Sequence, residues 1–145
     1  MSRLAINMGL CTGFDLEGTD DFDYSVASTD GKGITVIAAD IISSQDSILN
    51  TLAKQYNIDV VPLSLVPLEK DEVMGPWQDP FVLLQTAQAM YHAFEEEGNF
   101  LLGKKLGGKK ITLRTLQFYK LSFYDIIKFC KIATQKNKKI RFMVY

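Results

Sequence analysis

The sequence predicts an α+β domain (a mixed α/β domain), in which a single mixed or antiparallel sheet of about five to six strands carries about three helices. Three observations predict this class. Runs rich in β-branched and aromatic residues recur along the chain, an Asp-Gly pair separates two of them, and other segments have apolar residues at helical spacing. With 145 residues and no linker or internal repeat, residues 1–145 are predicted to form one domain.

The first part of the chain is predicted to be rich in strands. Residues 3–14 form a weak strand, and an acidic loop follows over residues 15–23. Residues 24–29 and 34–42 are predicted as two further strands, because residues 30–33 join them with an Asp-Gly pair. Glycine supplies the positive φ that a tight hairpin turn needs. We therefore expect a β-hairpin here.

Three helices are predicted from capping residues and apolar periodicity, over residues 43–57, 79–99 and 122–136. The middle helix has the clearest start. Asp79 is a good N-cap, and Pro80 suits the first helical position, where its missing N–H group costs nothing.

Three more strands complete the predicted sheet. Residues 59–66 are apolar and β-branched, but Pro62 removes a backbone donor, which predicts an edge strand or an extended strap. Residues 110–121 are rich in Ile, Leu, Thr, Phe and Tyr and are predicted as a strand. Residues 140–145 are the last predicted strand.

The charge is divided along the chain, although the net charge is only −1. Residues 1–72 contain twelve acidic and four basic residues, whereas residues 73–145 contain five acidic and twelve basic residues. The two halves either neutralise each other in the fold or form two charged patches. In the second case a patch would steer a charged partner.

The acidic loop is the first candidate partner-binding site. Its carboxylates are Asp15, Glu17, Asp20, Asp21 and Asp23. Their spacing does not fit a helix-loop-helix calcium site, so no metal is predicted. Beside an electropositive partner they would accelerate encounter.

A second candidate partner-binding site combines apolar and basic residues. Ile132 falls on the polar side of the last predicted helix, near Lys128 and Lys136, and Trp77 lies in a loop before a capped helix. Aromatic and apolar anchors ringed by charge are typical of interface hot spots. The alternatives are that Trp77 covers the core and that a neighbouring loop covers Ile132.

A glycine-rich segment is a possible anion loop. Residues 103–110 match the phosphate-binding pattern G-x-x-x-x-G-K, but Lys110 replaces the Ser or Thr that would bind Mg²⁺. Its four lysines are Lys104, Lys105, Lys109 and Lys110. Because a strand is predicted after it in place of a helix, a hairpin loop is the more economical interpretation.

Catalytic chemistry has few candidates in this sequence. Cys11 and Cys130 are the two cysteines and His92 is the single histidine. A small enzyme would need Cys11 or Asp40 beside His92, yet helical phase turns His92 toward water. Cys130 is predicted to be an inert core thiol. No cofactor is predicted, and two cysteines without a disulfide framework favour a cytoplasmic protein.

These observations favour a non-enzymatic protein-binding domain that acts by charged surface complementarity. An inhibitor, a toxin-neutralising immunity protein or an adaptor would fit, with another protein as partner, either a toxin or an enzyme. The alternatives are a small-ligand or phosphate-binding protein, a small enzyme using Cys11 and His92, and nucleic-acid binding through the basic second half. The overall pI of about 5.8 argues against a nucleic-acid partner, and no membrane span is predicted.

Overall fold

The computed structural model describes residues 12–18, 32–67, 74–106 and 109–144. In this part of the chain, four α-helices accompany two short antiparallel strand pairs and one 3₁₀ helix. The elements are β1 (Thr12–Leu16), α1 (Lys32–Ser43), α2 (Ile48–Tyr56), the 3₁₀ helix (Val61–Ser64), α3 (Pro80–Leu101), β2 (Lys105–Leu106), β3 (Lys109–Lys110), α4 (Leu113–Lys136) and β4 (Ile140–Val144).

The main strand pair joins the two ends of the described chain. β1 and β4 are antiparallel, with Leu16 opposite Ile140 at one end of the pair. The segment 74–78 lies along the other edge of β4, through bridges from Met74 to Met143 and from Gln78 to Ile140. β4 is therefore paired on both sides.

Side chains alternate across this pair between the core and the surface. Phe14 and Phe142 are fully buried, and the Phe14 ring lies 4.7 Å from the Phe129 ring of α4 and 5.1 Å from the Phe142 ring, measured between centroids. The next residues, Asp15 and Arg141, point to the opposite face. The strands thus close one side of the core that the helices build.

Local capping defines where the helices begin and end. The Ser47 hydroxyl accepts the N–H of Asn50 and starts α2, and Asn57 ends α2 in the left-handed conformation with φ 55°. The Asp79 carboxylate accepts the N–H of Phe81 at 2.9 Å and starts α3 with Pro80 at its first position, as predicted. α4 begins after Thr112, whose hydroxyl accepts the N–H of Thr115.

α1 crosses α4 at very close range, through Gly33. A Cβ atom built on Gly33 would lie 1.8 Å from the Ser122 hydroxyl oxygen and 2.9 Å from the Ser122 Cβ. Glycine is therefore required because the two helices approach too closely for any side chain.

The predicted fold class is wrong. Instead of one sheet of five to six strands with three helices, the described chain is mostly helical and has two separate strand pairs, β1–β4 and β2–β3. The α3 start and a final strand, Ile140–Val144, are confirmed. Residues 1–11 and 24–29, which carry most of one predicted strand and the whole of another, lie outside the described residues.

The largest errors concern two segments rich in β-branched and aromatic residues. Residues 34–42 belong to α1, and residues 113–121 form the first half of α4, so Ser122 lies inside that helix and does not cap it. α1 is buried on several faces, so its sequence is apolar almost throughout. Such a sequence lacks the helical spacing of apolar residues that would distinguish a helix from a strand. Tertiary burial has overridden the intrinsic β preference in both segments.

Smaller corrections concern boundaries. Residues 59–66 contain a 3₁₀ helix and not a strand, because Pro62 fits the first turn of a helix. Ser43 ends α1, and Ser47 caps the following helix in its place. The predicted hairpin turn at residues 30–33 is replaced by the start of α1 from Lys32 onward, with Asp30 and Gly31 outside the described residues. β1 extends to Leu16, so it includes the start of the predicted acidic loop.

Candidate interaction surface on the last helix

The outer side of α4 carries basic residues. Five cationic residues lie on this helix: Arg114, Lys120, Lys128, Lys131 and Lys136. Its one acidic residue, Asp125, is buried with a side-chain exposure of 1%. The solvent-facing side of α4 therefore presents positive charge without exposed carboxylates of its own.

The same face carries large apolar side chains toward its N-terminal half. Leu113, Leu121 and Tyr124 are each about half exposed, and Phe118 is 37% exposed at the edge of the face. Taking 100° per residue, Leu113, Gln117, Leu121, Tyr124, Lys128 and Lys131 form one stripe. We call this stripe the α4 face. Its apolar half and its cationic half follow each other along the helix.

Asp125 neutralises one of these cations and determines its position. The Lys128 ammonium lies 3.4 Å from an Asp125 carboxylate oxygen, and 27% of the Lys128 side chain remains exposed. Lys128 Nζ also lies 5.0 Å from the centre of the Tyr124 ring. A buried carboxylate thus holds a surface ammonium against an exposed aromatic ring.

A second lysine and a second tyrosine continue this arrangement toward α3. The Tyr124 ring lies 6.4 Å from the Tyr91 ring, and Lys120 Nζ lies 5.3 Å from the centre of the Tyr91 ring. The two rings therefore lie next to each other at the contact between α3 and α4, and each carries one lysine. We call Tyr91, Lys120, Tyr124 and Lys128 the tyrosine–lysine cluster.

Trp77 belongs to a different group, on the outer face of the strand pair. The Arg141 guanidinium lies 4.1 Å from the centre of the Trp77 ring and is held by Asp15 through two nitrogen–oxygen contacts of 2.8 Å. Trp77 remains 39% exposed, and Met74 of the same segment is also exposed. The predicted site residues Trp77 and Lys128 therefore lie on different elements with different neighbours.

Replacing Arg141 by Ala is expected to shift the fluorescence emission of Trp77 to longer wavelength, because the indole ring loses its guanidinium cover. Trp77 is the single tryptophan, so the emission reports this site alone. The loss of stability should be about 1 kcal/mol, since the Asp15–Arg141 pair is partly exposed. Arg114→Ala is the control, and an equal emission shift in that variant would contradict the assignment.

The acidic loop is only partly described. Asp15 lies in β1 and pairs with Arg141, while Glu17 is exposed and one of its carboxylate oxygens accepts the Lys139 N–H at 3.4 Å. The remaining carboxylates, Asp20, Asp21 and Asp23, lie outside the described residues. The Asp15–Arg141 pair joins one acid of the first half to one base of the second half.

The other predicted site residues are dispersed. Ile132 is half-buried on α4, and Lys136 is exposed in its last turn. Of the four lysines of the anion loop, Lys104 and Lys110 are exposed, while Lys105 lies in β2 and Lys109 in β3. β2 and β3 pair as an antiparallel hairpin, so the segment lacks the strand-to-helix geometry of a phosphate-binding loop.

The residues considered for catalysis are engaged elsewhere. His92 is exposed on α3, with Nδ1 3.3 Å from a Glu95 carboxylate oxygen. Asp40 accepts the N–H of Leu49 at 2.9 Å and lies near buried Tyr119, whose pKa is raised by burial and by the Asp40 charge. Cys11 lies outside the described residues.

Cys130 is a core thiol, and we expect it to resist alkylation in the folded protein. Its side chain is fully buried, and burial raises the pKa of the thiol, which lowers the thiolate fraction at neutral pH. Iodoacetamide labelling followed by peptide mass spectrometry should modify Cys130 only after denaturant is added. Labelling of Cys130 in the native protein at the rate of the denatured protein would contradict this burial.

A surface pocket of about 360 Å³ lies between the start of α3 and the turn after α4. Its lining mixes acidic residues with lysines and includes exposed Phe81: the residues are Glu17, Asp79, Pro80, Phe81, Thr134, Asn137, Lys138 and Lys139. Neither Trp77 nor the lysines of the anion loop line it.

Two further findings concern the described part of the chain. It contains no group of three or more His, Cys, Asp or Glu side chains that could hold a metal ion. No helix in it combines the length and the apolar character required to cross a membrane.

Comparisons with protein families, with curated proteins and with solved structures found no match for this chain.

Sequence reasoning missed Leu121 of the α4 face and Lys120 of the tyrosine–lysine cluster. Lys120 and Leu121 fell in the predicted strand, so their helical phase relative to Tyr124 and Lys128 was not considered. A usable signal was present, because Lys120, Tyr124 and Lys128 follow each other at spacings of four residues. The partner of Arg141 could not be identified, since it depends on the register of β1 and β4.

Proposed function

We propose that this protein is a protein-binding domain and that the α4 face docks a partner protein with an acidic surface. Inhibitors and adaptors of acidic targets act in this way, by complementary charge together with a few apolar anchors. The proposal selects the basic second half of the chain over the acidic loop as the binding surface.

The observation that carries the proposal is the distribution of charge on α4. Five cations accompany one acid, and that acid is buried against Lys128. A helix whose role was only structural would usually present both signs of charge to water, because pairs of opposite charge four residues apart stabilise it. An apolar half with exposed Leu113, Leu121 and Tyr124, followed by a cationic half, fits an acidic partner surface that also offers apolar contacts.

A protein partner is favoured over a nucleic acid by the rest of the chain. The net charge is −1, and the acidic residues of the first half would repel a long phosphate backbone. A protein surface matches a local patch of charge and apolar side chains without meeting the remainder of the molecule.

The proposal can be tested by site-specific photo-crosslinking in the native source. A benzophenone amino acid at Gln117, on the α4 face, is compared with the same amino acid at Gln85, on the exposed face of α3. We expect Gln117 to capture one dominant protein, through a crosslinked peptide rich in Asp and Glu, and Lys131→Glu to abolish the product.

The matched control for that charge reversal is Lys54→Glu, because Lys54 is exposed on α2 and the change in net charge is the same. The Lys54→Glu variant should retain the crosslink. Equal capture from Gln85 and Gln117, or capture of a partner through a basic peptide, would contradict the proposal. Capture of nucleic acid in place of protein would contradict it as well.

A further inference from the structure

We infer that the surface pocket between the start of α3 and the turn after α4 binds a small zwitterion with an aromatic or large apolar side chain. A free aromatic amino acid is the simplest ligand of this class. The inference goes beyond the proposed function and does not depend on it, because the pocket shares no residue with the α4 face. Failure of the partner experiments would leave it intact, and the reverse also holds.

Three separate elements build this pocket. Glu17 follows β1, Asp79 and Phe81 belong to the start of α3, and Lys138 and Lys139 lie between α4 and β4. The volume of about 360 Å³ is at the lower end of the range for small-molecule sites. The pocket therefore suits a ligand of about the size of one amino acid.

The charged residues of the lining balance each other. Glu17 and Asp79 contribute two carboxylates, and Lys138 and Lys139 contribute two ammonium groups. A ligand with charge of one sign would be repelled by one of these pairs, which disfavours a polyphosphate such as a nucleotide. A zwitterion can place its ammonium group near the acids and its carboxylate near the lysines. The lining thus favours a ligand that carries both charges.

Phe81 adds an apolar surface to these charges. Its side chain is 52% exposed, although it lies in the first turn of α3. A ligand ring or a large apolar group that covers Phe81 would remove apolar area from water and gain contact between rings. A zwitterion without such a group would leave Phe81 exposed, so we expect selection for an aromatic or large apolar side chain.

Hydrogen bonds hold the walls of the pocket in place. The Asp79 carboxylate accepts the Phe81 N–H at 2.9 Å. The Glu17 N–H donates to the Lys139 carbonyl oxygen at 3.0 Å, and the Lys139 N–H donates to the Glu17 carboxylate at 3.4 Å. An ionised carboxylate can accept about four hydrogen bonds, so these contacts leave both acids able to accept from a ligand. A lining ordered in advance lowers the entropy lost on binding.

The test measures the binding of four probes to the full-length ¹⁵N-labelled protein by amide chemical shifts. L-Phenylalanine has both charges and the ring, phenylpropionate lacks the ammonium group, phenylalaninamide lacks the carboxylate, and glycine lacks the ring. We expect L-phenylalanine to bind with a dissociation constant of about 1 mM. Each of the other probes should bind about fivefold more weakly. The shifts should centre on the N–H groups of Phe81, Asn137 and Lys139.

Variants assign each part of the ligand to the lining. Phe81→Ala should weaken L-phenylalanine binding about fivefold, whereas Val82→Ala, an exposed neighbour outside the pocket, should change it less than about twofold. Asp79→Asn keeps the helix cap, removes the charge and should reduce the preference over phenylpropionate to about twofold. Lys139→Gln should reduce the preference over phenylalaninamide to about twofold, and Lys136→Gln, outside the pocket, should preserve both preferences.

Several results would overturn the inference. Equal affinity for L-phenylalanine and either singly charged probe would show that the pocket does not select a zwitterion. Shifts confined to residues outside the lining, or no shifts at millimolar L-phenylalanine, would show that this pocket is not the site. Tighter binding of ATP than of L-phenylalanine would overturn the inference in favour of a phosphate site.

Discussion

Phe142→Ala is expected to lower the free energy of unfolding by about 3–5 kcal/mol, which is a large fraction of the stability of a domain of this size. Phe142 is fully buried on β4, and its ring lies 5.1 Å from that of Phe14. Removing the ring leaves a cavity between the strand pair and α4, since Phe14 in turn stacks on Phe129 at 4.7 Å. Urea denaturation monitored by circular dichroism measures the change.

Phe81→Ala is the matched control, because it removes the same atoms from a side chain that is 52% exposed. Its cost should be below about 1 kcal/mol. If Phe142→Ala does not fold, Phe142→Leu should give a measurable loss of about 1–2 kcal/mol, since most of the volume is retained. Equal costs for Phe142→Ala and Phe81→Ala would show that β4 does not close the core as described.

Gly33→Ala is expected to destabilise the fold by about 2 kcal/mol, although Ala normally favours a helix over Gly by about 1 kcal/mol. The space around Gly33 determines whether the substitution stabilises or destabilises the fold. The new Cβ would lie 1.8 Å from the Ser122 hydroxyl oxygen and 2.9 Å from the Ser122 Cβ. Rotating the hydroxyl relieves only the first contact, so α1 and α4 must move apart.

A double-mutant cycle with Ser122→Gly tests this explanation. Removal of the Ser122 side chain makes room for the methyl group, so the two substitutions together should cost clearly less than the sum of their separate effects. The difference should be about 2 kcal/mol by chemical denaturation. Strict additivity, or a stabilising effect of Gly33→Ala alone, would contradict the close crossing of α1 and α4.

The parts of the fold that the sequence predicts are those with local signals. Asp79 and Pro80 begin α3 as expected, because the cap and the proline act within one turn. The last strand is found in a short segment with β-branched and aromatic residues. Both features depend on residues that are close together in the sequence.

The parts that could not be predicted depend on distant contacts. The first half of α4 contains aromatic and β-branched residues, and its helical state is favoured by burial of Leu116, Tyr119 and Phe123. α1 is apolar on several sides, so its periodicity is weak, and its helical state follows from packing against α4. Neither packing surface can be seen in the segment itself.

Part of the candidate surface could be predicted, because helical phase is a local property of the sequence. Lys128 and Lys136 were identified from the helical phase of the last predicted helix, which was correct over residues 122–136. Lys120 was missed because the predicted helix begins at Ser122, two residues after Lys120, whereas α4 begins at Leu113. The place of Arg141 over Trp77 depends on the strand register and on the path of residues 74–78.

The most direct test of the proposed docking surface is the dissociation constant of the crosslinked partner, measured by calorimetry for the wild type, Lys131→Glu and Lys54→Glu at low and high salt. Docking on the α4 face predicts about tenfold weaker binding for Lys131→Glu at low salt, a smaller loss at high salt and no change beyond about twofold for Lys54→Glu. Equal losses for the two variants, or an affinity of the wild type that does not depend on salt, would contradict an acidic partner at α4.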